Sequence, residues 1–201
     1  INRKIMSKCN IGKRSGRYYI HRRTVFNVVS TLFLITGAYI LLLTQSPVMN
    51  VGTDIVNSKV EAKIPVSVNA LKIPKLGVST PYYSGNQSVL EKGAWHRFPD
   101  RGNPSIGGNF ILSAHRFNLG LTPQRTKAKS PFYKIDKLEI GDDIYVTYDN
   151  KDYHYKVDRV YDVARSATEI EAPSNEAKLT LYSCSLLGEK NGRVVVEAKP
   201  I

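Results

Sequence analysis

The hydrophobic pattern changes character twice along the chain. Residues 25–43 form one apolar run without a formal charge, broken only by Asn27, Ser30, Thr31 and Thr36 among strongly polar types. As a helix it spans roughly 28 Å at ~1.5 Å per residue, close to the ~30 Å hydrocarbon core of a bilayer. Residues 44–69 then show no sustained period and contain Pro47, Gly52 and Pro65, which reads as a stalk with one short helix over 54–62. From about Ala70 the period becomes two, the signature of half-buried strands. Strands are expected over 71–73 (ending at Pro74), 110–112 (after the flexible Gly107–Gly108) and 143–148. A turn at Asp149–Asn150 leads to a hairpin partner over 153–160. A helical stretch is expected over 130–138, and two final strands over 179–184 and 193–197. At least six short strands with little helix predict a mainly β domain, a closed barrel or a sandwich.

The last two strands organise the rest. Between them lies an eight-residue segment whose Asn191–Gly192 end is a strong turn signal. If the chain reverses symmetrically about Gly188 and Glu189, Cys184 falls opposite Arg193, at the roughly 4.5–5.5 Å Cβ spacing of a direct cross-strand pair. A thiol beside a permanent cation is one route to a reactive cysteine.

Charge gives the apolar run its meaning. The chain has 201 residues, 42% of them hydrophobic, and a net charge of +12. Eight basic residues and no acid lie in residues 1–24, and the first acidic residue is Asp54. Basic residues that only precede an apolar run mark the cytoplasmic side of a membrane span, and they do not form the clustered basic face of a nucleic-acid binder. The run is longer than the ~7–15 apolar residues of a signal peptide, and no small-x-small pattern follows Leu43 promptly. The expected organisation is therefore a basic cytoplasmic segment (1–24), an uncleaved transmembrane helix (25–43), an extracellular stalk (44–69) and an extracellular β domain (70–201). The sequence opens on Ile1, not methionine, which leaves room for residues before it. Cys9 and Cys184 fall on opposite sides of the membrane and do not pair within one chain. Cys184 is then a lone thiol in a compartment where structural cysteines come as disulfides.

Three histidines belong to the β domain. His154 lies within an aromatic strand and His96 in a Gly/Pro-punctuated loop. His115 closes an apolar strand just before a loop, a place where a rigid scaffold displays functional groups. Each of His115, Cys184 and Arg193 has a bland reading when taken alone: a capping histidine, an inert core thiol, a surface cation. Together they resemble the sortases, membrane-anchored cysteine transpeptidases of mainly Gram-positive bacterial surfaces. Thr180-Leu181-Tyr182-Ser183-Cys184 is similar to the family motif T-L-x-T-C, with serine for the second threonine. Ser113-Ala114-His115-Arg116 resembles the family's G-H-R segment, with alanine for glycine. Arg193, nine residues beyond the cysteine at the head of a valine run, matches the family arginine. Lesser echoes are Leu71-Lys72-Ile73-Pro74, Leu138-Glu139-Ile140-Gly141-Asp142 and Ile170-Glu171-Ala172-Pro173. Alanine does not adopt a positive φ cheaply, so no glycine-dependent turn is expected before His115.

The resemblance covers roughly residues 70–201. It implies a closed eight-stranded barrel with short helices and a groove at the ends of the cysteine and arginine strands. Cys184 would attack a peptide carbonyl within an LPxTG-like sorting signal of a surface protein. The resulting thioester would pass to an amine acceptor, such as a peptidoglycan precursor or a pilin lysine. His115 would act as acid and base, and Arg193 as an oxyanion donor or substrate clamp. Some family members bind calcium in a loop near the cysteine strand, where Glu169, Glu171 and Glu176 lie here. These acids are read as solvated loop residues. No metal, no cofactor, no nucleic acid and no phosphate-binding loop is expected. Two competing readings are a non-catalytic, membrane-tethered β module that binds a cell-wall component, and a hydrolytic cysteine peptidase.

Overall fold

The computed structural model describes residues 22–45, 69–186 and 188–201. The expected basic segment up to residue 21, most of the stalk and its helix over 54–62 lie outside the described residues.

Helix α1 (Arg22–Gln45) contains the whole apolar run. It is long and apolar enough to cross a membrane. Apart from the buried Leu43, its large apolar side chains are exposed, with Phe26, Phe33 and Leu34 more than two-thirds exposed. A helix apolar on every face is matched to lipid, not to a one-sided core. Two threonines spend their hydroxyls inside the helix: Thr31 donates to the Asn27 carbonyl at 2.8 Å, and Thr44 to that of Leu41 at 3.1 Å. Such internal satisfaction makes them tolerable in hydrocarbon.

The β domain is built from β1 (Ala70–Ile73), β2 (Val78–Ser84), β3 (Ala94–His96), β4 (Gly102–Asn103), β5 (Gly107–Ser113), β6 (Asp143–Tyr148), β7 (Lys151–Val163), β8 (Lys178–Ser185) and β9 (Gly188–Pro200). The sheet order is β3-β2-β1-β6-β7-β9-β8-β5, and β3 pairs back onto β5. Eight strands thus close into a barrel, with the short β4 added against the start of β5. Closure abolishes sheet edges. Here it rests on the pairs Trp95 with Ser113 and His96 with Leu112, continued by the Arg97 N–H donating to the Ile111 carbonyl at 3.3 Å.

Period-two alternation fills the interior. Phe110, Leu112, Leu179, Leu181, Val194, Val196 and Ala198 point into one buried cluster, joined by Leu71, Ile73, Ile144 and Val146. The opposite faces of β5, β8 and β9 carry a second cluster of Ile111, Tyr182 and Val195, covered by Ile170 from the β7–β8 loop. The β6–β7 hairpin turns at Asp149 and Asn150, both at positive φ (50° and 62°), as a two-residue loop between right-twisting strands requires.

Three expectations are corrected. The helix expected over 130–138 is a run of turns with a short 3-10 segment (Ile135–Lys137), and the helix of this region is α2 (Pro123–Lys129). Its start follows from Thr122, whose hydroxyl accepts from the Arg125 N–H at 3.2 Å, and from Pro123 in its first turn. Second, the reversal between β8 and β9 lies between Ser185 and Gly188, ahead of the symmetric reversal expected about Gly188 and Glu189. The Asn191–Gly192 pair sits inside β9, in the bulge that opens between the Cys184–Arg193 and Ser185–Gly188 pairs. Gly192 has φ +104°, and a Cβ there would meet the Val163 carbonyl oxygen at 2.5 Å. Third, β2 lies outside the expected strands, and β3 contains His96, a residue expected in a loop.

His96 sits at the closure. Its ring packs edge-on against Phe110 (centroids 4.8 Å apart), and its Nε2 lies 3.2 Å from the Gly102 carbonyl oxygen. Burial pushes its pKa below the ordinary value, more than the Gly102 and Asp100 oxygens raise it. The unfolded chain then binds the proton more readily than the folded one. The stability is full above the unfolded pKa of about 6.5 and is lost as pH falls from there towards the lower folded value, at up to about 1.4 kcal/mol per pH unit. Thermal unfolding of the full-length chain in detergent between pH 7.5 and 5.5 should show wild type losing more stability than His96→Gln. Parallel curves would contradict this account.

Candidate active site

The site is an outcome of strand register. β8 and β9 pair antiparallel with Cys184 directly opposite Arg193, the register expected from a symmetric reversal, although the tip itself is asymmetric. β5 runs parallel to β8, with Ser113 beside Tyr182. The two chains stay together one step further: the Ser183 hydroxyl donates to the Ala114 carbonyl at 2.7 Å. His115 and Cys184 are the next residues along this pair. Ala114 is in the barrel core and is not among the described residues with positive φ, so no glycine-type turn precedes His115.

Alternation decides which face they share. Leu181 and Ser183 are inside and Tyr182 is outside, so Cys184 belongs to the outer face. On β9, Val194 is inside and Val195 outside, so Arg193 is outside too; on β5, Ala114 is inside and His115 follows it. The three residues therefore belong to the same outer face, at the end of the strands that carry the second apolar cluster. Cys184 is half-buried and outside any disulfide.

His115 is held from two directions. Its carbonyl accepts from the Phe132 N–H at 3.2 Å, and its Nε2 lies 3.5 Å from a Glu91 oxygen. Glu91 is bonded by Lys129 at 2.6 Å and by the Asn118 amide at 2.9 Å. The Lys129 bond, helped by Asn118 and His115, holds the Glu91 carboxyl below the usual carboxylate range, so it is ionised at neutral pH. The next residue, Arg116, is a buried anchor: Nε donates to the Tyr133 carbonyl at 2.8 Å, and Nη2 pairs with Asp136 at 2.7 Å.

Arg193 is largely covered. Its Nη1 donates to the Ala167 carbonyl at 3.4 Å and lies 3.6 Å from a Glu171 oxygen, with the guanidinium 5.2 Å from the centre of the Tyr182 ring. Glu171 was expected to be solvated. It is buried (5% exposed), on the short helical segment Glu169–Glu171 of the β7–β8 loop. The Tyr182 hydroxyl donates to it at 2.7 Å, and Arg97 pairs with it at 2.8 Å. Burial first, and then the Glu171 bond, push the Tyr182 phenol up to about 12, so it stays protonated and donates. Among the described residues no three His, Cys, Asp or Glu side chains gather as metal ligands would.

The other two histidines serve elsewhere. His96 is a closure residue, and His154 stacks on Tyr145 (4.4 Å, 15°) and pairs with Asp143 at 2.8 Å on the β6–β7 hairpin. Sequence reasoning missed Glu91, Arg97 and the role of Glu171. An exposed or loop charge carries no local signal of the long-range partner it meets.

The comparisons with known proteins agree with this architecture. The family model described as Sortase domain matches residues 71–201. Sortase A from Corynebacterium diphtheriae superposes with a TM-score of 0.57 at 22% identity, over 67% of this chain and 60% of that one. Sortase A from Listeria monocytogenes gives 0.57 at 22% identity, over 68% and 88%. A Clostridium perfringens sortase D5 transpeptidase gives 0.56 at 24% identity, over 82% and 99%. The chain thus spans less than two-thirds of the Corynebacterium protein, and likenesses at this identity speak to fold. No curated protein matches the chain by sequence. The family match covers nearly all of the β domain, and the chain belongs to the sortase family, whose members are transpeptidases.

Proposed function

We propose that this chain is a cysteine transpeptidase that cleaves an LPxTG-like sorting signal and transfers the acyl part to an amine, anchoring or polymerising surface proteins. The observation that carries the reading is the register that sets Cys184 against Arg193 on one side and beside the His115 segment on the other.

The Cys184 sulfur adds to the scissile carbonyl carbon, and the oxygen takes the negative charge. Arg193 stays cationic, so it acts as a donor to that oxygen or clamps the substrate backbone. When the C–N bond breaks, His115 gives its proton to the leaving amine and a thioester remains on Cys184. The incoming amine attacks the thioester carbonyl, loses a proton to His115, and restores the thiolate as the C–S bond breaks. Glu91 sits where it steadies the His115 ring. Helix α1 supports a single-pass anchor with a cytoplasmic N-terminus and an extracellular catalytic domain. Such an anchor holds the enzyme at the membrane, on the same surface as a membrane-held substrate. The acceptor would be a cell-wall precursor or a pilin lysine.

Incubating the full-length chain in detergent with a sorting-peptide library should yield an acyl-enzyme by intact mass, mapped to Cys184 and absent in Cys184→Ala. An adduct that persists in that variant removes the nucleophile assignment. Adding triglycine should divert product from free acid to amide. Free acid alone would favour a hydrolytic peptidase, and a Cys184 inert to charged methanethiosulfonate would favour a binding module. Arg193→Ala should cost roughly 100–1,000-fold in rate, as loss of an oxyanion donor does. Arg193→Lys should recover only part of it, because a point charge lacks the planar fork. In the same turnover assay Glu91→Gln should lose less than His115→Ala; equal losses would mean that the carboxylate does more than steady the ring.

A further inference from the structure

We infer that Glu171 is a positioning residue for Arg193: its buried carboxylate, clamped by Tyr182 and Arg97, fixes the guanidinium on the outer face across from Cys184. The inference rests on the reading of Cys184 and Arg193 given above and adds a residue that does not itself touch the reacting atoms.

Arginine has a long, flexible stem, and directional donation to one oxygen requires that stem to be held. The structure supplies three restraints: the Ala167 carbonyl at 3.4 Å, the Tyr182 ring face at 5.2 Å and the Glu171 carboxylate at 3.6 Å. Only the last carries charge. A buried carboxylate beside one cation would tend to neutralise it and tie it down. Here a second cation, Arg97, takes the shorter contact at 2.8 Å and also donates to the Tyr182 hydroxyl at 2.7 Å. The hub of two guanidinium groups, one carboxylate and a neutral phenol keeps a net positive charge, and Arg193 sits at its looser end.

The carboxylate is itself fixed. Arg101 donates to the Glu171 carbonyl. Asn109 donates to the carbonyls of Ile170 and Ala172 at 3.1 and 2.7 Å, and Thr180 donates to Asn109 at 2.7 Å. The segment bearing Glu171 is thus bolted to β5 and β8, the strands that carry the His115 segment and Cys184. Removing the negative charge would leave two guanidinium groups facing each other in a partly dry site, and Arg193, with the weaker contacts, would move outward.

A double-mutant cycle on the full-length chain in detergent tests this, because residues acting through one another are non-additive. The four proteins are wild type, Glu171→Gln, Arg193→Ala and the double variant. Turnover of the peptide selected from the library should fall at least tenfold in Glu171→Gln, in kcat more than in KM. In the Arg193→Ala background the same change should cost less than twofold. Losses that multiply equally in both backgrounds mean a merely structural role and overturn the inference. A second readout needs no substrate: the rate at which an anionic methanethiosulfonate modifies Cys184, mapped by mass. Its four rates should be non-additive if Glu171 holds the guanidinium near the sulfur, and additive rates overturn the inference. If Arg193→Ala turns over peptide like wild type, the assignment of Arg193 fails, while the alkylation cycle still decides whether Glu171 holds that side chain. If thermal unfolding shows Glu171→Gln to be unfolded, Glu171→Asp, with its carboxylate drawn back by one methylene, enters the same cycle with the same expected signs.

Discussion

The parallel pairing of β5 with β8 is the constraint on which the site depends. Side chains alternate with period two, so a slip of one residue would move His115 or Cys184 to the barrel interior. Parallel pairs need long connections, and here the register is pinned by side chains at both ends. At the start, the buried Thr180 hydroxyl donates to the buried Asn109 side chain. At the finish, the Ser183 hydroxyl donates to the Ala114 carbonyl. Both bonds are nearly dry, and leaving either partner unmade in such a place costs about 1–3 kcal/mol. The serine that replaces the family's threonine therefore keeps the one atom that this contact uses.

A second constraint is electrostatic. Arg97, Glu171 and Arg193 lie where water is scarce, and charges there are costly unless paired. The loop that brings Glu171 also brings Ile170 to cover Ile111, Tyr182 and Val195. One short segment thus supplies both the apolar lid and the counter-charge. Glu197 shows the same economy at the other end of β9. Burial would push its carboxyl up, yet Lys178 and Arg159 bonds outweigh that and hold it below the usual range.

Much of this was legible in the chain, in a graded way. The turn at Asp149–Asn150 follows from local alternation and turn chemistry. The pairing of Cys184 with Arg193, expected from a symmetric reversal, is instead reached through an early turn and a compensating bulge. That bulge was not legible: Asn191–Gly192 has turn chemistry but is used to accommodate extra residues within β9. β2 was hidden by Pro81, since proline argues against a strand paired on both sides. It is admitted here because Pro81 lies just outside the β2–β3 pairing, which starts at Tyr82 and Ala94, and Gly93 offers no Cβ at a place where one would meet the Pro81 carbonyl oxygen at 2.2 Å. That accommodation needs two distant residues, which no single window of sequence contains. Glu171 failed to announce itself for the same reason. A glutamate in a loop looks solvated until Arg97, some seventy residues earlier, is brought beside it.

The placement of Cys184 on the outer face, not inside the barrel, has its own logic. Along the outer face of β8, Thr180 and Tyr182 are buried and Cys184 is half-buried. The cover from the β7–β8 loop runs out as the cysteine is reached. A thiol one pair earlier would be sealed from any peptide. A fully exposed one would have its cation screened by water and salt. At the margin Cys184 is half-buried, while Arg193 is backed by an aromatic ring and a buried carboxylate. There a guanidinium acts through a medium of lower dielectric than water, where its pull on a developing oxyanion is stronger. The half-buried state of Cys184 is thus set by where the apolar lid ends, and under the proposed function the lid-bearing loop would be part of the chemistry as well as of the fold.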